Sequence, residues 1–185
     1  MSQFEYISIA LALIYALVVG RLLTGLTPSL EETRRYLIQV AWIVVFLLAC
    51  VIQWWGMWRY NAEDVAWTPI GFLVVLSLPS ILFVRAGLLL GPNPDSVESF
   101  RSHFYERRIS FFALGVVEAA LAALSPWVVG ITPWFTLNSG GTHQVALVLA
   151  VVSVTGLALK NPKAQAAAVF GNFLLAVTGY YFIGN

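Results

Sequence analysis

The chain has 185 residues, 59% of them hydrophobic and 10% charged, with a formal net charge of +1 and a mean hydropathy of +0.82. An average soluble domain is about 45–50% apolar and about 25% charged, so this chain lacks the polar surface to cover a globule in water, and its solvent is read as lipid. A near-neutral chain with no basic arm or stripe excludes a nucleic-acid partner, and its single cysteine, Cys50, excludes an internal disulfide framework or a cysteine metal cluster.

Apolar runs of the ~20 residues that carry a helix across a ~30 Å hydrocarbon layer are expected near residues 6–26, 36–58, 68–90, 109–129, 143–159 and 164–183. They predict an all-α integral membrane bundle of six spans, forming one domain over 1–185. The first run, within MSQFEYISIALALIYALVVGRLL, lacks a basic leader and an Ala-x-Ala site and is too long for a signal-peptide core. It is read as a retained first span. The breaks "GLTPSLEETRR", "RYNAEDVAWTP", "LGPNPDSVESFRSHFYERR", "GITPWFTLNSGGT" and "KNP" each carry Pro, Gly, Asn or charge. Loops this short leave no room for a soluble catalytic, nucleotide-binding or receptor domain.

The cations fall on alternate loops. Arg34 and Arg35 follow the first run, Arg101, Arg107 and Arg108 follow the third, and Lys160 and Lys163 follow the fifth. Arg21 and Arg85 lie inside spans near that same side, and Arg59 stands alone opposite. The positive-inside rule then puts these loops in the cytoplasm and both termini outside it. Trp54, Trp55, Trp58, Trp67, Trp127, Trp134, Tyr180 and Tyr181 would form an outer interfacial belt. The turns after the first, third and fifth runs look alike, which fits either three parallel helical hairpins or the common demand of short cytoplasmic turns for Gly, Pro and Arg.

The fourth run, RRISFFALGVVEAALAALSPW, carries Glu118 near its middle. A charge there costs about 3 kcal/mol on insertion scales, so it is expected to face protein or a cavity and to find a partner. Arg21 and Arg85 lie about 7 Å inside their cytoplasmic ends and Glu118 about 14 Å inside its own, at 1.5 Å per residue. Helical side chains lean toward the helix N-terminus, which brings either arginine toward Glu118. Gly115, Ala119, Ala122 and Ala123 beside it permit close helix approach. Tyr15, Ser77, Ser80, Ser153, Thr155 and Asn172 are further polar groups near mid-depth, and Pro79 removes a backbone bond from the third span.

Ahead of the fourth run, residues 95–108 read as a short amphipathic interfacial helix, capped by Asp95 or Ser96. Val97, Phe100, Phe104 and Ile109 make its apolar stripe, with Glu98, Arg101, Ser102 and Arg108 on the wet side. His103 and Glu106, three apart, can titrate together or share a cation, but no clear third ligand accompanies them. His143 stands alone at the start of the fifth span.

The pieces "LIYALVVGRLLTGL", "VIQWW", "LSLPSILFVRAGLLLGP" and "FRSHFYERRISFF" together resemble a group of small multi-pass bacterial inner-membrane proteins with no established activity, over about the first two thirds of the chain. The resemblance implies an inner-membrane location and a multi-span architecture, and nothing catalytic. In that group a histidine often stands where this chain has Gly20-Arg21, so Arg21 departs from the pattern.

Two functional readings stay open. One is a channel or transporter for an ion or small solute, with Glu118, Arg21, Arg85, Asn172 and Tyr15 as pathway or ion-pair residues. The other is a non-enzymatic scaffold, sensor or accessory subunit acting through helix packing and homo-oligomerisation, for which the small residues Ala166, Gly171 and Gly179 of the sixth span speak. An enzyme acting on lipid would have to use His103 with Asp95 and Glu106, and no Ser-His or His-Glu-x-x-His pattern exists. No cofactor, metal, nucleotide or nucleic acid is expected; the partners are the bilayer and further copies of the chain.

Overall fold

A chain taken out of water has to satisfy its own N–H and C=O groups, and an α-helix does so within one segment. A computed structural model describes residues 3–61, 65, 67–130 and 142–183, with their side chains apart from those of residues 59, 142–144 and 179–183. The expectations for Trp134, and for the side chains of Arg59, His143, Gly179, Tyr180 and Tyr181, lie outside the described residues. The elements are α1 (Gln3–Leu30), α2 (Leu37–Gly56), α3 (Pro69–Leu90), α4 (Phe100–Val128), α5 (Thr142–Ala158) and α6 (Pro162–Ile183), with short 3-10 turns at Met57–Asn61 and Pro94–Ser96. Among the described residues the chain is all-helical. Gln3–Leu30, Leu37–Gly56, Pro69–Ser96 and Phe100–Val128 are each long and apolar enough to cross a membrane, while Val145–Ala158 is apolar but shorter.

The fourth helix differs from the expectation. The segment 95–108 is no separate element: Asp95 and Ser96 sit in a 3-10 turn, and α4 runs without a break from Phe100 to Val128. Ser99 caps it, accepting from the Ser102 N–H at 3.5 Å. The reason is a single buried stripe, Phe100, Phe104, Arg108, Phe111, Gly115 and Glu118, recurring every three or four residues along the helix. The early aromatics therefore pack into protein, which carries the helix straight on into the membrane-length segment. Arg108, expected on the wet side, belongs to the buried stripe, and Ile109, expected in the apolar one, is exposed.

Each helix packs mainly against two others, in the cyclic order α1, α3, α4, α5, α6, α2 and back to α1. Side-chain pairs set the directions. Tyr15 meets Gln53 and Ser29 meets Gln39, so α1 and α2 are antiparallel. Tyr6 and Ile7 line one hollow with Pro69 and Phe72 near the N-terminal ends, and Gly25 lies against Leu90 near the C-terminal ends, so α1 and α3 are parallel. Three sequential hairpins are present, but a threefold repeat would place α2 beside α3, where α1 mainly stands. The first hairpin is turned around relative to the other two.

The proline inside α4 is compensated locally. Pro126 cannot donate to the Ala122 carbonyl, and the Ser125 hydroxyl donates to it instead at 3.0 Å. Every helix turns large apolar side chains outward, among them Leu17, Val51, Leu73, Val117, Val151 and Phe170. Such a continuous apolar exterior suits contact with acyl chains rather than water. Trp54, Trp55, Trp58 and Trp127 are exposed at the C-terminal ends of α2 and α4. Trp42 instead is 1% exposed and packs edge-on against Phe46, Phe111 and Phe112 at 5.1–5.8 Å between ring centroids.

Candidate functional site

Arg85 stands near the C-terminal end of α3, and Glu118 beyond the middle of the antiparallel neighbour α4. That register brings Arg85 Nη1 onto Glu118 Oε2 as an ion pair, with the two side chains 2% and 4% exposed. Removing two charges from water is costly unless the remaining donors and lone pairs are also occupied. Here Arg85 Nε donates to the Phe111 carbonyl at 3.2 Å. The guanidinium carbon lies 4.9 Å from the Phe46 ring centroid and 4.7 Å from that of Phe111, a double cation–π arrangement that gains strength out of water. On the other side Gln53 Nε2 donates to Glu118 Oε1 at 3.3 Å, and Tyr15 donates its hydroxyl to Gln53 Oε1 at 3.1 Å. The network Tyr15–Gln53–Glu118–Arg85 thus joins α1, α2, α4 and α3.

Besides the Trp42 indole N–H, two buried polar groups in this region have no hydrogen-bond partner among the described residues. Arg85 Nη2 and the Ser153 hydroxyl of α5 are both buried and unpartnered. A Cβ placed on Gly115 would lie 3.1 Å from Arg85 Nη2 and closer still to Ser153 Oγ. The missing Cβ of Gly115 is therefore what lets these two groups face one another across α4.

Empty space adjoins the pair on two sides. One cavity, of about 140 Å³, runs from Glu118 and Gln53 past Ser125 to Met57 and Tyr60. The other, of about 80 Å³, is bounded by Arg85, Glu118 and Gln53 and reaches Asn172 on α6. Asn172 donates back to the Ala168 carbonyl at 3.4 Å. All six helices contribute to these walls. Toward the charged end the space stops at the cluster of Trp42, Phe46, Phe111 and Phe112.

Arg21 is not part of the site, contrary to the alternative that paired it with Glu118. It donates to the Gly91 carbonyl and, at 3.0 Å, to the Pro92 carbonyl. Because α1 and α3 run parallel, Arg21 lies level with the last turn of α3, whose free carbonyls attract a cation. Arg108 does the same for α5, donating to the carbonyls of Gly156, Leu157 and Leu159, the last two at 2.9 and 3.4 Å. Gln165 joins it on Gly156 and Leu159, at 3.2 and 2.5 Å.

The titratable residues of 95–108 do not form a common site. His103 turns its Nε2 to within 3.0 Å of the Leu88 carbonyl, Glu106 and Asp95 are exposed, and the Asp95 carbonyl accepts from Arg34 at 2.7 Å. Among the described residues no three His, Cys, Asp or Glu side chains are grouped to hold a metal.

Gln53 has no role in the sequence reading, where it occurs only within the piece VIQWW. Its signal lies in spacing: Gln39, Ile43, Phe46, Cys50 and Gln53 recur every three or four residues, and the first four are buried. No protein-family profile, curated protein or solved structure matches the chain.

Proposed function

We propose that this chain is a six-span bacterial inner-membrane protein, with both termini outside the cytoplasm, that moves an ion or small solute across the bilayer at Glu118. The observation that carries the reading is the pair of cavities, walled by all six helices, that meet at Gln53 and Glu118. A bundle serving only as a scaffold gains nothing from a carboxylate beside empty space at mid-helix, where an intramembrane charge is expensive. Solvated by entering water or solute, the same arrangement becomes a binding point along a path.

The exterior supports the membrane placement, since lipid-facing apolar residues occur on every helix. Cations gather at one end and exposed tryptophans at the other, which orients the bundle by the positive-inside rule and the interfacial preference of Trp. In that orientation the larger cavity leads outward and the Trp42–Phe46–Phe111–Phe112 cluster closes the cytoplasmic side. Passage then requires the aromatics to move, as in the gating of hydrophobic constrictions or the rocking of helices around a central site.

The test is flux from proteoliposomes for protons, Na⁺, K⁺, chloride and nitrate, comparing the native chain with Glu118→Gln. Flux of at least one species above protein-free vesicles, altered in its rate or pH dependence by the substitution, is expected. Leak identical with and without protein refutes transport, and flux indifferent to Glu118→Gln removes this residue from the path.

A further inference from the structure

We infer that the species taken at this site is a small monovalent anion, bound and carried together with a proton that neutralises Glu118; the inference rests on the transport reading above. Only one member of the ion pair is fixed. A guanidinium stays protonated at any physiological pH. Arg85 is also held in place, by the Phe111 carbonyl at 3.2 Å and by the Phe46 and Phe111 rings on its faces. The acceptor opposite is the part that can change. The site therefore carries either zero charge, with Glu118 ionised, or +1, with Glu118 protonated.

Among the described residues no other group facing the pair alters that arithmetic. Facing Glu118 are Tyr15 from α1 and Cys50 from α2, with Tyr60 at the far end of the outer cavity. None of these carries charge near neutral pH. From α5 and α6 the walls present Val145, Leu149 and Asn172, which do not titrate. A site that alternates between neutral and positive does not hold a cation. A cation at Glu118 would sit beside a fixed positive charge in a weakly screened interior. A divalent anion would leave a net negative charge buried, which is equally unfavourable.

The unpartnered donors fit the same conclusion. Arg85 Nη2 and Ser153 Oγ, buried around Gly115, have no hydrogen-bond partner among the described residues, and buried polar groups in proteins ordinarily have one. When a proton adds to the Glu118 carboxylate, its bond to Arg85 Nη1 weakens. The incoming anion then accepts from Nη1 and from Nη2. Release of the anion and of the proton restores the ion pair, and one cycle moves no net charge. The adjoining cavity of about 80 Å³ is several times the ~10–15 Å³ needed to admit one water, room for an anion of a few heavy atoms.

Proteoliposomes loaded with dye for lumenal pH test this, with chloride, nitrate and lactate as probes and Na⁺ and K⁺ as controls. Outside acidification is expected to drive uptake of at least one probe with one proton per anion, unchanged when valinomycin and K⁺ set the membrane potential. The inorganic and organic arms then say which source supplies the anion. In Glu118→Gln, anion-for-anion exchange is expected to persist while its pH dependence disappears. In the charge-free double variant Arg85→Gln/Glu118→Gln, whose folding is checked by gel filtration and circular dichroism, both are lost. Protein-dependent flux of Na⁺ or K⁺ with none of the three anions overturns the inference and leaves the transport reading standing. Absence of any protein-dependent flux overturns both.

Discussion

Replacing Arg85 by Met and Glu118 by Gln, singly and together, measures how strongly the two side chains depend on one another. Arg85→Met leaves the carboxylate buried with Gln53 Nε2, at 3.3 Å, as its one remaining donor among the described residues. Removing one partner of a buried pair costs about 3–5 kcal/mol. Glu118→Gln is milder. Arg85 keeps the Phe111 carbonyl and two ring faces, the latter contributing about 2 kcal/mol when desolvated, and the new amide oxygen still accepts from Nη1. About 1–2 kcal/mol is expected for the loss of a charge-assisted hydrogen bond. The double variant has no buried charge and is expected to be more stable than Arg85→Met alone, giving a coupling energy of about 2 kcal/mol or more. Steric trapping in bicelles at neutral pH reads these free energies directly. If Arg85→Met costs less than about 1 kcal/mol, or the double variant equals the sum of the singles within ~0.5 kcal/mol, the pair does not hold the bundle as argued.

The glycines separate tight from open helix crossings. A Cβ at Gly156 would run into the ring carbons of Phe112, which is itself locked among Phe104, Phe111 and Trp42, so Gly156→Ala is expected to destabilise by about 1–3 kcal/mol. Gly20 and Gly87 have nothing within 4 Å of that position, so Gly20→Ala and Gly87→Ala should be neutral or stabilising by up to about 1 kcal/mol from helix propensity; thermal unfolding in detergent ranks the three, and equal effects would refute the packing. For orientation, in a Cys50→Ala background an impermeant maleimide added to intact cells should label Asn61→Cys at once and Glu32→Cys only after permeabilisation, both positions being exposed. The reverse pattern overturns the placement of the termini.

How far the sequence reaches depends on whether a property is local. Helix positions follow from apolar run length and from Pro, Gly and charge between runs, both of which are read along one segment. The start of α4 shows the limit. Phe100, Phe104 and Phe111 make a stripe that suits a lipid surface or a protein core equally well by composition, and only the neighbouring Trp42, Phe46 and Phe112 decide for the core. Arg108 shares that ambiguity, since a cation near a helix end reads as solvated until the carbonyl ends of another helix are seen beside it.

By itself, then, the sequence determined that these helices form and that Glu118 must be shielded, because the cost of an unsatisfied backbone or a bare charge in lipid is set by the segment alone. Which arginine answers Glu118 was decided by the tertiary structure. Arg21 and Arg85 lie at equal depth, but α3 is antiparallel to α4 and adjacent to it, while α1 lies beyond α3 and spends its arginine on the exposed carbonyls at the end of α3. Neighbour order around a ring of helices is a packing property of the whole bundle, and no single segment encodes it.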